Sequence, residues 1–179
     1  MNLIEHVKNY SGNLALKQTI ANGTKEAQPV SFEQATKFAV LFYVREEAEM
    51  NAVNDFISFL WSKKKSTFII GATTGFPVAK SKVTNMNFIQ LREDEITWNN
   101  IPKGYRITNY LENEFDILID LTQEDYFPLL YVLAAAKAKI KVGRYDRNKY
   151  EQYHFMVDTW RKPDIYNFTT QIKQYLQSL

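Results

Sequence analysis

The stretch of residues 115–144 constrains the fold more than any other part of the sequence. Its almost uncharged segment FDILIDLT is typical of a strand that is buried on both faces, and Pro128 marks a helix start soon after it. The segment AAAKAKIKVGR then leads out of that helix into a second strand. We therefore predict a strand–helix–strand unit, in which two parallel strands are joined by a right-handed crossover.

Short apolar runs elsewhere in the chain predict the other strands of this sheet. KFAVLFYV, which ends at Val44, predicts the first strand, and FIIGATT predicts the second. NFIQL and YHFMVD are weaker candidates for further strands, while residues 92–109 have no readable pattern. The alternation of Lys139 and Lys141 with apolar neighbours indicates that the strand KIKVGRY lies nearer an edge of the sheet than FDILIDL.

Helices are predicted between these strands and at both ends of the chain. Val53, Phe56, Ile57 and Leu60 follow the spacing i, i+3, i+4, i+7 of a helix with one buried face. Residues 1–36 predict an N-terminal helix, which ends near residue 22, and a connector, and residues 164–179 predict a final helix. The fold class that follows is α/β: a single three-layer Rossmann-like domain over residues 1–179, with a mainly parallel sheet and helices on both faces.

Composition excludes several classes of chemistry. The chain has 179 residues and no cysteine, which removes disulfides, thiolate metal sites and thiol nucleophiles. Its two histidines, His6 and His154, lie far apart, and no GxSxG segment is present to hold a serine nucleophile. We therefore expect no metal and no cofactor.

The charge pattern and the N-terminal sequence predict a cytoplasmic protein. Glu5 and His6 interrupt the position where a signal peptide needs an apolar core, and no segment approaches the roughly 20 apolar residues of a membrane span. The net charge is only +2. We therefore expect no membrane association, and bulk charge gives no argument for nucleic acid.

The segment FDILIDLTQEDYFPLLYVLAAAKAKIKVGR resembles part of the N-terminal Rossmann-like half of bacterial heptosyltransferase-type glycosyltransferases. The whole chain resembles more closely a small bacterial family of α/β proteins with no assigned function. The first resemblance implies a Rossmann-like domain. However, Arg45, Glu46 and Glu47 follow the first strand, where those transferases have a Gly-Asp loop, and 179 residues leave no room for their second half.

The carboxyl ends of the strands form the predicted binding edge, because ligands of open parallel sheets bind there, where the strand order reverses. Polar and charged side chains follow four predicted strands at these ends. The candidate ligand-binding residues are Arg45, Glu46, Thr73, Thr74, Asp120, Thr122 and Arg144. No catalytic residue is assigned among them.

Three of these segments allow two interpretations each. Asp120 and Asp125 could perform acid–base work or hold Mg²⁺, but the same residues commonly cap the helix that follows. Residues 71–75, GATTG, could bind a phosphate through backbone N–H groups or could form a plain turn. The lysines and arginines of residues 137–149, with Tyr145 between them, could bind nucleic acid or form a solvated edge, and we favour the solvated edge.

These residues predict a non-catalytic binding module for a small anionic ligand or a protein partner. The alternative is a transferase-type enzyme that uses Asp120 and Arg144 on a phosphate- or nucleotide-bearing substrate. Asp120 and Arg144 follow strands joined by one crossover, so we expect them to lie close together at the same edge. Exposed aromatic side chains would also permit a homo-oligomer.

Overall fold

The computed structural model describes residues 3–23, 26–74, 87–159 and 164–178. Six strands form one sheet, and every strand pairs with its neighbours in parallel. The strands are β1 (Lys37–Val44), β2 (Ser66–Thr73), β3 (Phe88–Gln90), β4 (Glu114–Asp120), β5 (Lys137–Arg144) and β6 (Phe155–Val157). The α-helices are α1 (Leu3–Asn22), α2 (Glu47–Ser62), α3 (Tyr105–Glu112), α4 (Phe127–Ala135) and α5 (Ile165–Ser178).

The order of the strands across the sheet is β3-β2-β1-β4-β5-β6. The chain builds outwards from β1 through β2 to β3, then returns to the other side of β1 and builds outwards again. The strand order therefore reverses between β1 and β4, where Leu41 and Asp120 are paired in register. A crevice at the carboxyl ends of these two strands is the usual ligand position in such a sheet.

Helices cover both faces of the sheet, which confirms the predicted three-layer α/β fold. One face packs against α2 and α5, with Phe42, Phe56 and Phe168 fully buried between the layers. The other face packs against α3 and α4, with Leu41, Leu118 and Leu133 at its centre. These central strands are uniformly apolar because they are covered on both sides.

Helix α1 forms an outer layer against α4, and a glycine sets how closely it approaches. A Cβ atom on Gly12 would lie 2.5 Å from the carbonyl oxygen of Asn99 and 3.1 Å from the Phe127 ring. Only a residue without a side chain fits this contact. The outer side of α1 exposes Val7, Tyr10 and Leu14.

Strand β5 lies nearer an edge of the sheet than β4, as predicted. However, β6 pairs with its carboxyl half, and Lys141 is buried. Its ammonium group donates hydrogen bonds to the carbonyl oxygens of Leu133 (2.7 Å) and Ala134 (3.3 Å) at the end of α4. Helix α3 lies in a region where the sequence predicted no element.

No helix among the residues that the structure describes is both long enough and apolar enough to cross a membrane. The cytoplasmic location stays a prediction.

Candidate functional site

Asp120 lies at the carboxyl end of β4 and is only 4% exposed. Its carboxylate accepts hydrogen bonds from the Tyr153 hydroxyl (2.6 Å), from the backbone N–H of Thr122 (2.9 Å) and from the Thr122 hydroxyl. Burial raises the pKa of Asp120, and these hydrogen bonds from Thr122 and Tyr153 oppose that rise. The two predicted site residues Asp120 and Thr122 therefore meet, but inside the protein and bonded to each other.

The predicted cap at the start of α4 is absent. The helix begins at Phe127, several residues after Thr122 and Asp125, and its N-cap position is Tyr126 without a side-chain hydrogen bond. Thr122 instead closes a short turn onto Asp120, and Asp125 forms an ion pair with Lys149. Pro128 lies in the first turn of the helix, as predicted, where its missing N–H costs nothing.

Arg144 does not lie beside Asp120, which corrects the predicted pairing. Successive residues of a strand point to opposite faces. Gly143 faces the ring of Tyr153 on the α3 and α4 side, so Arg144 leaves the sheet on the α2 and α5 side, where its pairing partner Val157 is packed. The two side chains therefore leave the sheet towards opposite faces.

An acidic side chain engages two backbone donors in the connection after β1. The Glu49 carboxylate accepts hydrogen bonds from the backbone N–H groups of Arg45 (2.8 Å) and Glu46 (3.3 Å), the donors that would otherwise face a ligand at this helix start. The Arg45 side chain forms an exposed ion pair with Glu124 at 2.7 Å. Arg45 and Glu46 thus lie at the predicted edge. Their backbone N–H groups donate to Glu49, and the Arg45 side chain pairs with the connection after β4.

Thr73 and Thr74 end β2 at the same edge. The Thr74 hydroxyl lies 2.8 Å from the hydroxyl of Tyr43, the penultimate residue of β1. Gly75, the last residue of the GATTG segment, lies outside the described residues, so the phosphate-loop interpretation is not tested. Gly71 lies against the ring of Phe42. A Cβ atom at position 71 would be only 2.1 Å from that ring, so a larger residue would not fit.

Tyr43 belongs to an aromatic pair that joins β1 to the connection after β4, the two strands between which the strand order reverses. Its ring stacks on that of Tyr126 at a centroid distance of 4.6 Å and an interplanar angle of 13°. Tyr43 comes from the end of β1, and Tyr126 from the connection between β4 and α4. The pair therefore covers the carboxyl edge on the α3 and α4 side, where the crevice of a parallel sheet opens.

Tyr126 of this pair also lines a groove of about 480 Å³. We call it the Tyr126 groove. Its walls come from α1, from the start of α4 and from residues 93–100. Its lining residues are Lys8, Glu93, Ile96, Thr97, Asn100, Tyr126, Phe127 and Pro128. Its volume lies within the range of pockets that hold small molecules, roughly 300–1,000 Å³.

The polar groups of the Tyr126 groove are open to a ligand. Within the described part of the chain, the side chains of Lys8, Glu93 and Asn100 form no ion pair or hydrogen bond. Asn100 has a φ of 67°, a left-handed conformation that asparagine tolerates better than most residues. Burial, then Tyr43 and Glu93, raise the pKa of Tyr126, so its hydroxyl stays protonated at neutral pH.

The predicted basic cluster of residues 137–149 is dispersed by the fold. Lys137 and Lys139 lie at the amino end of β5, and Lys141 is buried beneath α4. Lys149 lies at the carboxyl edge, where it pairs with Asp125 and Asp146. The cations of this cluster are therefore divided between the two ends of β5 and the interior, and the solvated edge stays a prediction.

The amino edge of the sheet carries a second groove of about 420 Å³ around Asp116. The Asp116 carboxylate accepts hydrogen bonds from the N–H groups of Thr36 (2.8 Å) and Lys37 (3.0 Å) and from Lys139 (2.7 Å). Partial burial acts to raise the pKa of Asp116, but these donors outweigh it and lower the pKa to about 2. Asp116 thus lies away from the carboxyl edge.

Sequence reasoning missed the residues of the Tyr126 groove. The one available signal is Tyr126-Phe127-Pro128, an aromatic pair between a buried strand and its helix. Lys8, Glu93 and Asn100 come from segments that the strand pattern does not bring together. In the described ranges, no three histidine, aspartate or glutamate side chains are grouped to hold a metal ion.

Comparison with known proteins identifies a family but no activity. No curated protein and no solved structure matches the chain. The resemblance of residues 115–144 to heptosyltransferase-type enzymes is therefore not supported by a match. The chain belongs to DUF6913, a family of unknown function that matches residues 8–179.

Proposed function

We propose that this chain is a non-catalytic binding module that holds a small ligand in the Tyr126 groove. One observation carries the proposal: Tyr126, which follows β4 and stacks on Tyr43 of β1 at 4.6 Å, lines a groove beside the carboxyl edge of the sheet. Parallel sheets bind ligands at this position because the crossovers diverge there.

The lining of the groove favours a ligand with a flat apolar part and a charged group. Tyr126 and Phe127 are both partly exposed, so each offers ring surface to a ligand. Burying an aromatic face against another flat group contributes about 0.5–1.5 kcal/mol beyond the buried area. Lys8 is the cation in the groove that could meet an acidic group, which keeps the anionic ligand predicted from the sequence as part of the proposal.

Binding is a better account than group transfer because the groups needed for transfer are engaged elsewhere. Asp120, the carboxylate expected to act in a transferase, is covered by Tyr153 and Thr122. The N–H groups of Arg45 and Glu46 that could hold a phosphate donate to Glu49. The transferase predicted as the alternative would need Asp120 to face its substrate.

A thermal-shift screen with small ring-containing compounds tests the proposal. We expect at least one compound to raise the melting temperature of the wild type and of Tyr126→Phe, which keeps the ring. Tyr126→Leu should lose that stabilisation, because leucine fills space without offering a flat face. Tyr105→Ala removes a tyrosine that is 84% exposed and lies outside the groove, and it should respond like the wild type. Equal shifts in all four proteins would contradict the proposal.

A further inference from the structure

We propose that the ligand of the Tyr126 groove is a zwitterionic α-amino acid with an aromatic side chain. This inference rests on the function proposed above and names the chemical class of its ligand. Three features of the groove select that class: one cation, one anion and an aromatic wall, all in a space of about 480 Å³.

The two charges of the groove are opposite in sign and do not neutralise each other. Lys8 comes from α1 and Glu93 from the turn after β3, and both side chains line the groove. Neither forms an ion pair with another residue of the described segments. A ligand that carries a carboxylate and an ammonium group can satisfy both charges at once.

Asn100 supplies the neutral hydrogen bonds that such a ligand requires. The hydroxyl of the neighbouring Thr97 is engaged with the Asn99 side chain (2.6 Å) and the Ile101 carbonyl (2.9 Å), which fixes the turn that carries Asn100. The side-chain amide of Asn100 has two N–H donors and one acceptor oxygen, and this group forms no hydrogen bond with the described residues. It can donate to a carboxylate beside Lys8.

The aromatic wall receives the side chain of the amino acid. Tyr126 is fixed from behind by its stack on Tyr43, and Phe127 is fixed by its contact with Gly12 of α1. A ring held in place loses little freedom when a second ring stacks on it. Phenylalanine, tyrosine and tryptophan therefore match the groove better than aliphatic amino acids.

Other ligand classes fit the same charges less well. A phosphate ester would bring about two negative charges to a groove that contains one cation, Lys8, and one anion, Glu93. Lys8 could pair with one of these charges, but Glu93 would repel the other. A cationic amine without a carboxylate would leave Lys8 and Asn100 without a partner. Only a ligand with both charges pairs every polar group named above.

Matched probes test the inference by isothermal titration at pH 7. L-Phenylalanine carries both charges, 2-phenylethylamine lacks the carboxylate, and 3-phenylpropionate lacks the ammonium group. We expect each one-charge probe to bind about threefold or more weakly than L-phenylalanine, the effect of losing one partly exposed charge pair. L-Tyrosine and L-tryptophan are titrated beside L-phenylalanine.

Variants test which residue of the groove binds each charged group of the ligand. Lys8→Met should bring L-phenylalanine down to the affinity of 2-phenylethylamine, and Glu93→Gln should bring it down to that of 3-phenylpropionate. Asn100→Gly keeps the left-handed backbone and removes the amide, so it should weaken L-phenylalanine more than 2-phenylethylamine. Lys17→Met and Glu112→Gln remove exposed charges outside the groove and should change nothing.

The outcomes separate this inference from the proposed function. If none of the three aromatic amino acids binds, or if 3-phenylpropionate binds as tightly as L-phenylalanine, the zwitterion is overturned. The proposed function survives that result when another ring compound still depends on Tyr126. If L-phenylalanine binds with the expected charge preference but Tyr126→Leu leaves its affinity unchanged, both the aromatic wall and the proposed function are overturned.

Discussion

The Tyr153 hydroxyl donates a 2.6 Å hydrogen bond to the Asp120 carboxylate, although the two residues belong to different connections at the carboxyl edge. Asp120 ends β4, and Tyr153 lies between β5 and β6. The ring of Tyr153 packs on Gly143, where a Cβ atom would lie 2.2 Å from it. Asp120 thus fixes two loops at once, which explains why it is buried rather than open to a ligand.

Removing the Tyr153 hydroxyl should destabilise the fold. Tyr153→Phe leaves the buried Asp120 carboxylate with fewer donors, and we expect the free energy of unfolding to fall by about 1.5–3 kcal/mol at pH 7, as for hydrogen bonds to charged groups. Urea denaturation measures the change. Tyr131→Phe serves as the control, because the Tyr131 hydroxyl makes no hydrogen bond with the described residues.

The effect of Tyr153→Phe should also depend on pH. The pKa of Asp120 is raised in the folded protein, so the carboxylate becomes protonated as the pH falls through that raised value. The donor stabilises the charged form more than the neutral form. The loss should therefore shrink as the pH is lowered towards the ordinary aspartate range, and a loss that is constant with pH would show that Asp120 is not the group affected.

Gly143→Ala tests the packing of the same tyrosine. The new methyl group would overlap the Tyr153 ring, which cannot move away while its hydroxyl is held by Asp120. We expect a loss of about 1–3 kcal/mol in the free energy of unfolding, the usual cost of overpacking. In a Tyr153→Ala background the same glycine substitution should cost much less. Equal costs in the two backgrounds would refute the contact.

The strands were predictable because β1, β2 and β4 contain short, mostly apolar runs, which are typical of strands covered on both faces. Helix α3 was not predictable, because Ile107 and Tyr110 are its only buried residues among eight. Two buried positions are too few to show the 3.6-residue period of a helix in the sequence. Lys141 was misassigned because an alternating lysine predicts exposure, whereas the end of α4 supplies carbonyl oxygens for its ammonium group.

The edge that carries the candidate site was predictable, but its residues were not. The sequence places Arg45, Thr74 and Asp120 after strands, and the structure places them at that edge. The sequence could not show that Glu49 contacts Arg45, that Tyr43 contacts Thr74, or that Tyr153 contacts Asp120. Each of these contacts depends on the direction of a side chain, which the strand pattern does not specify. The Tyr126 groove depends further on the approach of α1, which Gly12 sets.

The buried Lys141 should make stability depend on pH in the alkaline range. Burial lowers its pKa from 10.5 to about 8 in the folded protein. Between these two values the unfolded chain holds the proton and the folded chain releases it, so the free energy of unfolding rises with pH. The rise should approach about 3 kcal/mol, since one pKa unit corresponds to about 1.4 kcal/mol.

Lys141→Met should remove this pH dependence. Urea denaturation of the wild type and the variant from pH 7.5 to 10.5 should give a difference in stability that grows in favour of the wild type. Lys137→Met removes an exposed lysine from the same strand and should follow the wild-type profile. Parallel profiles for the wild type and Lys141→Met would mean that the Lys141 ammonium group is not desolvated.

The position of the bound ligand is the most direct test of the proposed function. The strongest binder from the ring-compound screen is titrated into ¹⁵N-labelled protein, and amide shifts are recorded by NMR. We predict the largest changes at Thr97, Asn100 and Phe127 of the Tyr126 groove. Changes centred instead on Lys37, Asp116 and Lys139 of the amino-edge groove would contradict a binding site at the carboxyl edge.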